Sequence, residues 1–233
     1  MGAAAVLGAV GAGAFGAYYP NSWLFGPVIA RGPHTGRDLF LTFDDGPNPA
    51  ATDRIIETLA RESVPAAFFM VGEHVRRFAE VGARVRDAGH EIGNHTDHHV
   101  KLHRRGPARV RAELAGAHET LVARLGVTPR TFRAPHGYRN PFVGAAARRL
   151  GYQTLGWSFG VWDTALPGAE VIRSRTRRHL RPGAIILLHD GDGYDPQGDR
   201  RQTADALPGI IRDARDLGYT FRPLRDLLHS PAT

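Results

Sequence analysis

Between Arg37 and His229, short apolar runs alternate with longer amphipathic stretches, and this alternation limits the possible folds more than any other feature of the chain. The β-like runs are DLFLTF, AAFFMV, HEIGN, TFRAP, QTLGWSF, AIILLH and YTFRPL. Between them lie the helix-like stretches Thr52–Glu62, Glu73–Ala88, Pro107–Leu125, Phe142–Leu150, Ala169–Leu180 and Thr203–Leu217. Strands that take turns with helices pair in parallel through helical crossovers. Seven of them fit a closed barrel or a doubly wound open sheet. With 233 residues, 42% hydrophobic and 23% charged, the chain suits one globular domain.

The polar residues decide between barrel and open sheet. Asp44 and Asp45 end the first run, His95 the third and His189 the sixth, while Arg133 and Trp157 stand in the fourth and fifth. A β/α barrel builds its site on the rim formed by the C-terminal strand ends, drawing on many strands; an open sheet gathers its ligand at one crevice. Contributions from five runs favour a distorted (β/α) barrel of seven parallel strands. Strand alternation would turn Asp44 and Asp45 to opposite faces.

The stretch GNHTDHHVKLH holds His95, His98, His99 and His103. His95 and His99 are one helical turn apart, as are His99 and His103, so spacing alone leaves the choice open; His95 is favoured by its place at the strand end. Two imidazoles and one carboxylate leave a position open on a hydrolytic zinc ion, and the same set can hold iron(II) for oxygen chemistry. A second adjacent carboxylate, with His189 and Arg133, favours hydrolysis, which needs one group to take a proton and another to give one. The zincin signature fails, because Asn94 stands where its second histidine belongs. DGDGYDPQGD after His189 is not an EF-hand: Tyr194 occupies a ligand position and Arg201 replaces the closing glutamate. It reads as a rim loop.

The formal charge is +7, and Lys101 is the only lysine. The arginines are scattered over helix-like segments without interleaved aromatics, which describes solvated faces and argues against a nucleic-acid partner. There are no cysteines, hence no disulfides or thiolate ligands. Residues 2–19 form an uncharged Ala/Gly-rich run without a basic n-region. It fits a signal-anchor as well as a soluble helix. Residues 1–33 are therefore assigned to an apolar N-terminal segment and linker, and residues 34–233 to the catalytic domain.

TFDDGP, HTDHH, RAPHG, WSFGVWD and LLH, in that order, resemble the successive motifs of the NodB-type polysaccharide deacetylases, carbohydrate esterase family 4. The resemblance covers roughly residues 38–229. It implies a distorted β/α barrel and metal-dependent removal of N-acetyl groups from an envelope or extracellular glycan such as peptidoglycan or chitin-like amino sugars. It also implies the roles. Asp44 is the general base and Arg133 its partner; Asp45, His95 and His99 are the metal ligands, for Zn2+ first, with Co2+ or Mn2+ as alternatives. His189 is the general acid, oriented by Asp163. Trp157 and Leu187 line the acetyl pocket, and His136, through its backbone N–H, and Gly137 contact substrate. The expected protein is a monomer, membrane-anchored or secreted. Alternatives are deacetylation or deformylation of a small or lipid-linked sugar, and a non-catalytic glycan binder on the same scaffold. Gly160, Thr164 and His136 depart from the family pattern, which loosens the substrate more than the chemistry.

Overall fold

The computed structural model describes residue 11 and residues 13–228; residues 2–10 and 12 of the apolar N-terminal run lie outside the described residues. A helix at residues 13–18 (α1) leads to an irregular segment. The elements that follow are β1 (Asp38–Asp44), α2 (Thr52–Glu62), β2 (Ala66–Met70), α3 (Gly72–Arg77), α4 (Ala79–Asp87), β3 (Glu91–Asn94), α5 (Pro107–Leu125), β4 (Thr131–Phe132), α6 (Pro141–Arg149), β5 (Gln153–Thr154), β6 (Phe159–Gly160), α7 (Ala169–His179), β7 (Ala184–His189), α8 (Arg201–Asp216) and β8 (Thr220–Phe221). No helix among the described residues is long and apolar enough to cross a membrane.

Every strand pairing is parallel, in the order β5-β4-β3-β2-β1-β7-β6, with β8 beside the start of β1. The sheet curls into the expected distorted barrel. Two sequence expectations need correction. QTLGWSF is not one strand but two, β5 and β6, which end the two edges of the sheet. The stretch 73–88 breaks at Phe78, whose φ of −130° and ψ of 49° cannot continue a helix.

Alternation along the strands sorts the core. Leu39, Leu41, Phe43, Phe68, Ile186 and Leu188 face the helices, packing with Ile55, Leu59, Leu207 and Ile211. Phe40, Phe69 and Ile185 pack with Leu155 on the other, inner face. Strands buried on both faces read as near-continuous apolar runs, which is why β1 and β7 carry almost no polar residue before their ends. By the same parity Thr42 and Asp44, Leu187 and His189 point inward.

The seam between β5 and β6 is closed by the N-terminal segment. Ile29 bridges Leu155 in parallel and Arg31 bridges Ala184 antiparallel. The backbone amides of Ile29 and Gly156 donate to Thr154 and Ile29 carbonyls at 3.0 and 2.9 Å. Upstream, the Asn21 amide donates to the Trp157 carbonyl at 2.9 Å and accepts from the Trp157 N–H at 3.3 Å. The buried Arg139 donates to the Ser22 carbonyl. Within the stretch read from sequence as a linker, Asn21, Ser22, Ile29 and Arg31 are thus tied to the barrel, while Trp23 and Leu24 stay exposed.

Candidate metal and catalytic site

β1 carries Asp44 to the inner face and then stops. Asp45 has φ +75°, a left-handed conformation that reverses the expected alternation and swings its side chain back toward Asp44. The opposite-face expectation therefore fails: His95 Nε2 lies 3.2 Å from Asp45 Oδ1 and 3.8 Å from Asp44 Oδ2. Thr96, His99 and His136 are also left-handed, at φ +70°, +51° and +57°. Such non-glycine positions cost about 1–3 kcal/mol each and persist where the surroundings over-determine them.

Asp45, His95 and His99 form a three-donor cluster, with ligand atoms all within 4.8 Å of one another. His99 Nε2 is 3.0 Å from Asp45 Oδ1. His95 Nδ1 is 2.8 Å from the Arg133 carbonyl oxygen; a carbonyl only accepts, so Nδ1 bears the proton and Nε2 keeps its lone pair. Asp45 Oδ1 is buried and lacks a hydrogen-bond partner. Burial opposes ionisation of Asp45, yet the His99 and His95 imidazoles hold its carboxyl well below the usual range. A buried, ionised and under-satisfied carboxylate beside two aligned imidazoles is the donor set a divalent cation requires. His103 stands apart, its ring against Tyr18 and Tyr138.

Arg133 fixes Asp44. Its guanidinium, fully buried, donates to Asp44 Oδ1 at 2.6 Å, Thr42 Oγ1 at 2.9 Å and the Gly156 carbonyl at 2.9 Å. Phe69 stacks beneath it, 4.1 Å from the ring centroid. His189 is held likewise. Its Nδ1–H points to Asp163 Oδ1 at 2.9 Å, its backbone N–H donates to Asp163 Oδ2 at 2.8 Å, and Thr203 donates to the same oxygen at 2.9 Å. Burial alone would lower the His189 pKa; the charge and hydrogen bond of Asp163, with Asp45 and Asp44 further off, push it up to about 9.

Asp44, Asp45, His95, His99, His136, Trp157, Leu187 and His189 line one cavity of about 600 Å³. Gly137 and Arg133 are not in its lining: Arg133 lies behind Asp44, and Gly137 gives its N–H to the Ala134 carbonyl at 2.8 Å. Burial, with His99 nearby, lowers the His136 pKa to about 4, and His136 Nε2 sits 2.8 Å from the Tyr194 hydroxyl. The rim loop after β7 thus reaches the site, and Gly193 lies so close to the His99 ring that any Cβ there would strike Nδ1.

Several supporting residues escape sequence reasoning. Glu113 on α5 is buried and accepts from the His98 N–H at 2.9 Å, anchoring the segment that presents His99. His74 approaches the Asp45 carbonyl at 2.8 Å. Asp190 is buried beside Gly46 and accepts from Thr52 at 2.6 Å; burial raises its pKa to about 7. Only Asp190 left a signal, its position next to His189.

The polysaccharide deacetylase family model matches residues 31–155. Over 200 residues the chain is 37% identical to a chitooligosaccharide deacetylase of Bradyrhizobium sp. (strain ANU 289), covering 82% of this chain and 90% of that protein. It is 34% identical to the peptidoglycan-N-acetylglucosamine deacetylase of Bacillus cereus, covering 87% and 93%. A solved carbohydrate esterase family 4 pseudoenzyme from Bacillus anthracis superposes with a TM-score of 0.78 at 26% identity, covering 86% of this chain and 68% of that one. The match of the family model to more than half of the sequence, and relatives aligned over nearly their full length, agree with the barrel and its rim cluster: the chain belongs to the polysaccharide deacetylase family.

Proposed function

We propose that this protein hydrolyses N-acetyl groups from an envelope or extracellular glycan, of the peptidoglycan or chitin-like class on which its relatives are named as acting. One observation carries the reading: His189, its Nδ1 locked by Asp163, and Asp44, locked by Arg133, share the cavity that holds the three-donor cluster. A base and an acid with separate partners, facing one space, suit a two-proton reaction.

Asp44, held by Arg133, takes the proton from the attacking water. His189 Nε2, the ring nitrogen that Asp163 leaves available, gives a proton to the departing amine, which otherwise leaves badly. Trp157 and Leu187 accept the acetyl methyl, and the His136 backbone N–H supports the developing oxyanion. Asp45, His95 and His99 would hold a divalent cation, zinc by donor type with cobalt or manganese as alternatives, supplying Lewis-acid polarisation of the carbonyl and a lowered water pKa. The exposed aromatics Phe15, Tyr19 and Trp23 and the apolar residues preceding them support attachment at the envelope membrane. Membrane fractionation of the full-length chain tests this; recovery of all of it in the soluble fraction would remove the attachment.

Acetate release is to be measured on peptidoglycan and N-acetylchitooligosaccharides with zinc, cobalt and manganese compared. Wild-type release that disappears in Asp44→Asn, while metal binding persists, is the expected result; full activity of Asp44→Asn would overturn the base assignment. The pseudoenzyme neighbour makes a non-catalytic glycan binder the second reading. Glycan binding without acetate release from any substrate would establish it.

A further inference from the structure

The cavity does not end at the catalytic groups. From the metal cluster an aromatic series continues outward: His99 to His136 at 5.1 Å between ring centroids, His136 to Tyr138 at 5.4 Å, and Tyr138 to Tyr18 at 5.3 Å. His103 stands 4.9 Å from both tyrosine rings and buttresses the pair. Tyr18 and Tyr138 line the same cavity as Asp44 and His189, and Tyr18 remains 51% exposed.

Tyr18 is not a loose side chain near a chain end. The Arg139 N–H donates to the Ala17 carbonyl at 3.1 Å, and the Tyr19 N–H to Phe15 at 3.1 Å. The Arg139 guanidinium holds the segment just downstream. An exposed tyrosine alone means little; one fixed by backbone bonds, packed edge-on in a three-ring cluster and continuous with a reaction cavity is different. A pyranose presents a face of C–H groups to an aromatic ring while its hydroxyls point outward to water, so such a face binds sugar rings.

We propose that Tyr18, held edge-on by Tyr138, offers its ring as a stacking face for a second sugar of the glycan, next to the one whose acetyl group lies between Asp44 and His189. The inference rests on the deacetylase reading. It makes residues N-terminal to the recognised motifs a determinant of chain-length preference, favouring oligomers over single sugars.

The test compares wild-type, Tyr18→Ala, Tyr18→Leu and Tyr18→Phe on N-acetylglucosamine and its dimer to pentamer, each enzyme loaded with zinc. Tyr18→Ala and Tyr18→Leu should raise KM for the longer oligomers about three- to tenfold, the span of one aromatic contact, with kcat and the monosaccharide unaffected. Tyr18→Phe should behave as wild-type. Equal losses at every length, or none, would overturn the stacking face, as would a Tyr18→Leu protein that melts like wild-type yet keeps wild-type KM. Calorimetric binding of the tetramer to Asp44→Asn, with and without Tyr18→Leu, separates the two claims. If no glycan releases acetate the deacetylase reading falls, and a three- to tenfold weaker tetramer affinity still supports the subsite; unchanged affinity overturns it.

Discussion

Asp163 grips His189 from two directions, accepting the ring Nδ1–H at 2.9 Å and the backbone N–H at 2.8 Å. One carboxylate therefore fixes the tautomer, the ring orientation and the protonation range of the residue assigned as acid. Asp163→Asn should lower the His189 pKa, since it removes the leading influence that raises it to about 9. The acid form would then be lost at lower pH. The alkaline limb of the kcat/KM profile should move toward neutrality, with about a 10²-fold loss of kcat. An unmoved limb would detach Asp163 from this role.

The Asp44–Arg133 pair is buried on both sides. Arg133→Met leaves Asp44 without its cation and should destabilise the protein by about 3–5 kcal/mol, read from urea unfolding. Asp44→Asn keeps an oxygen that can accept from Arg133 but leaves that buried cation without its counter-charge, so it too should lose stability, besides losing about 10²–10⁴ in kcat. Equal stabilities for Arg133→Met and wild-type would contradict the pairing.

Asp45 Oδ1 is buried without a hydrogen-bond partner, with two imidazoles close by. Adding zinc to chelator-treated protein should raise Tm, because a ligand that binds only the folded state adds about 2.7 kcal/mol at a hundred times Kd. Asp45→Asn and His99→Ala should abolish most of that rise. Scanning calorimetry decides it without any substrate.

Gly193 touches the His99 ring so closely that no side chain fits. Gly193→Ala should push either the loop or the imidazole away and weaken zinc binding about tenfold or more, measured by competition with a chromophoric chelator. Retained affinity would mean that the loop shifts freely.

A chain beginning at residue 34 loses the segment that closes the seam between β5 and β6. Its Tm should fall by several degrees relative to a chain beginning at residue 13. Matching melting curves would show that the barrel closes unaided.

Short apolar runs and helix-like stretches made most elements legible, and the helix Pro107–Leu125 appears with the boundaries its sequence implies. Local rules failed where backbone conformation departs from them: at Asp45, whose left-handed φ defeats alternation, and at Phe78. The site motifs were readable because each sits at a strand end. Glu113, His74 and Tyr18 were not, since their importance lies in partners 15 or more residues away: the His98 amide for Glu113, the Asp45 carbonyl for His74 and the Tyr138 ring for Tyr18. An Arg109–Glu113 pair four apart resembles an ordinary exposed helix pair, yet Glu113 is 1% exposed.

The left-handed backbone at Asp45, Thr96, His99 and His136 has a consequence for anyone selecting hardier variants. Glycine would relieve the conformation at each of these positions, so a screen on heat resistance alone would be drawn toward it. At Thr96, whose hydroxyl is buried without a partner, that choice costs no proposed ligand. At Asp45 and His99 it deletes a proposed ligand, so a screen run on metal-free protein would return variants that are sturdier and inert.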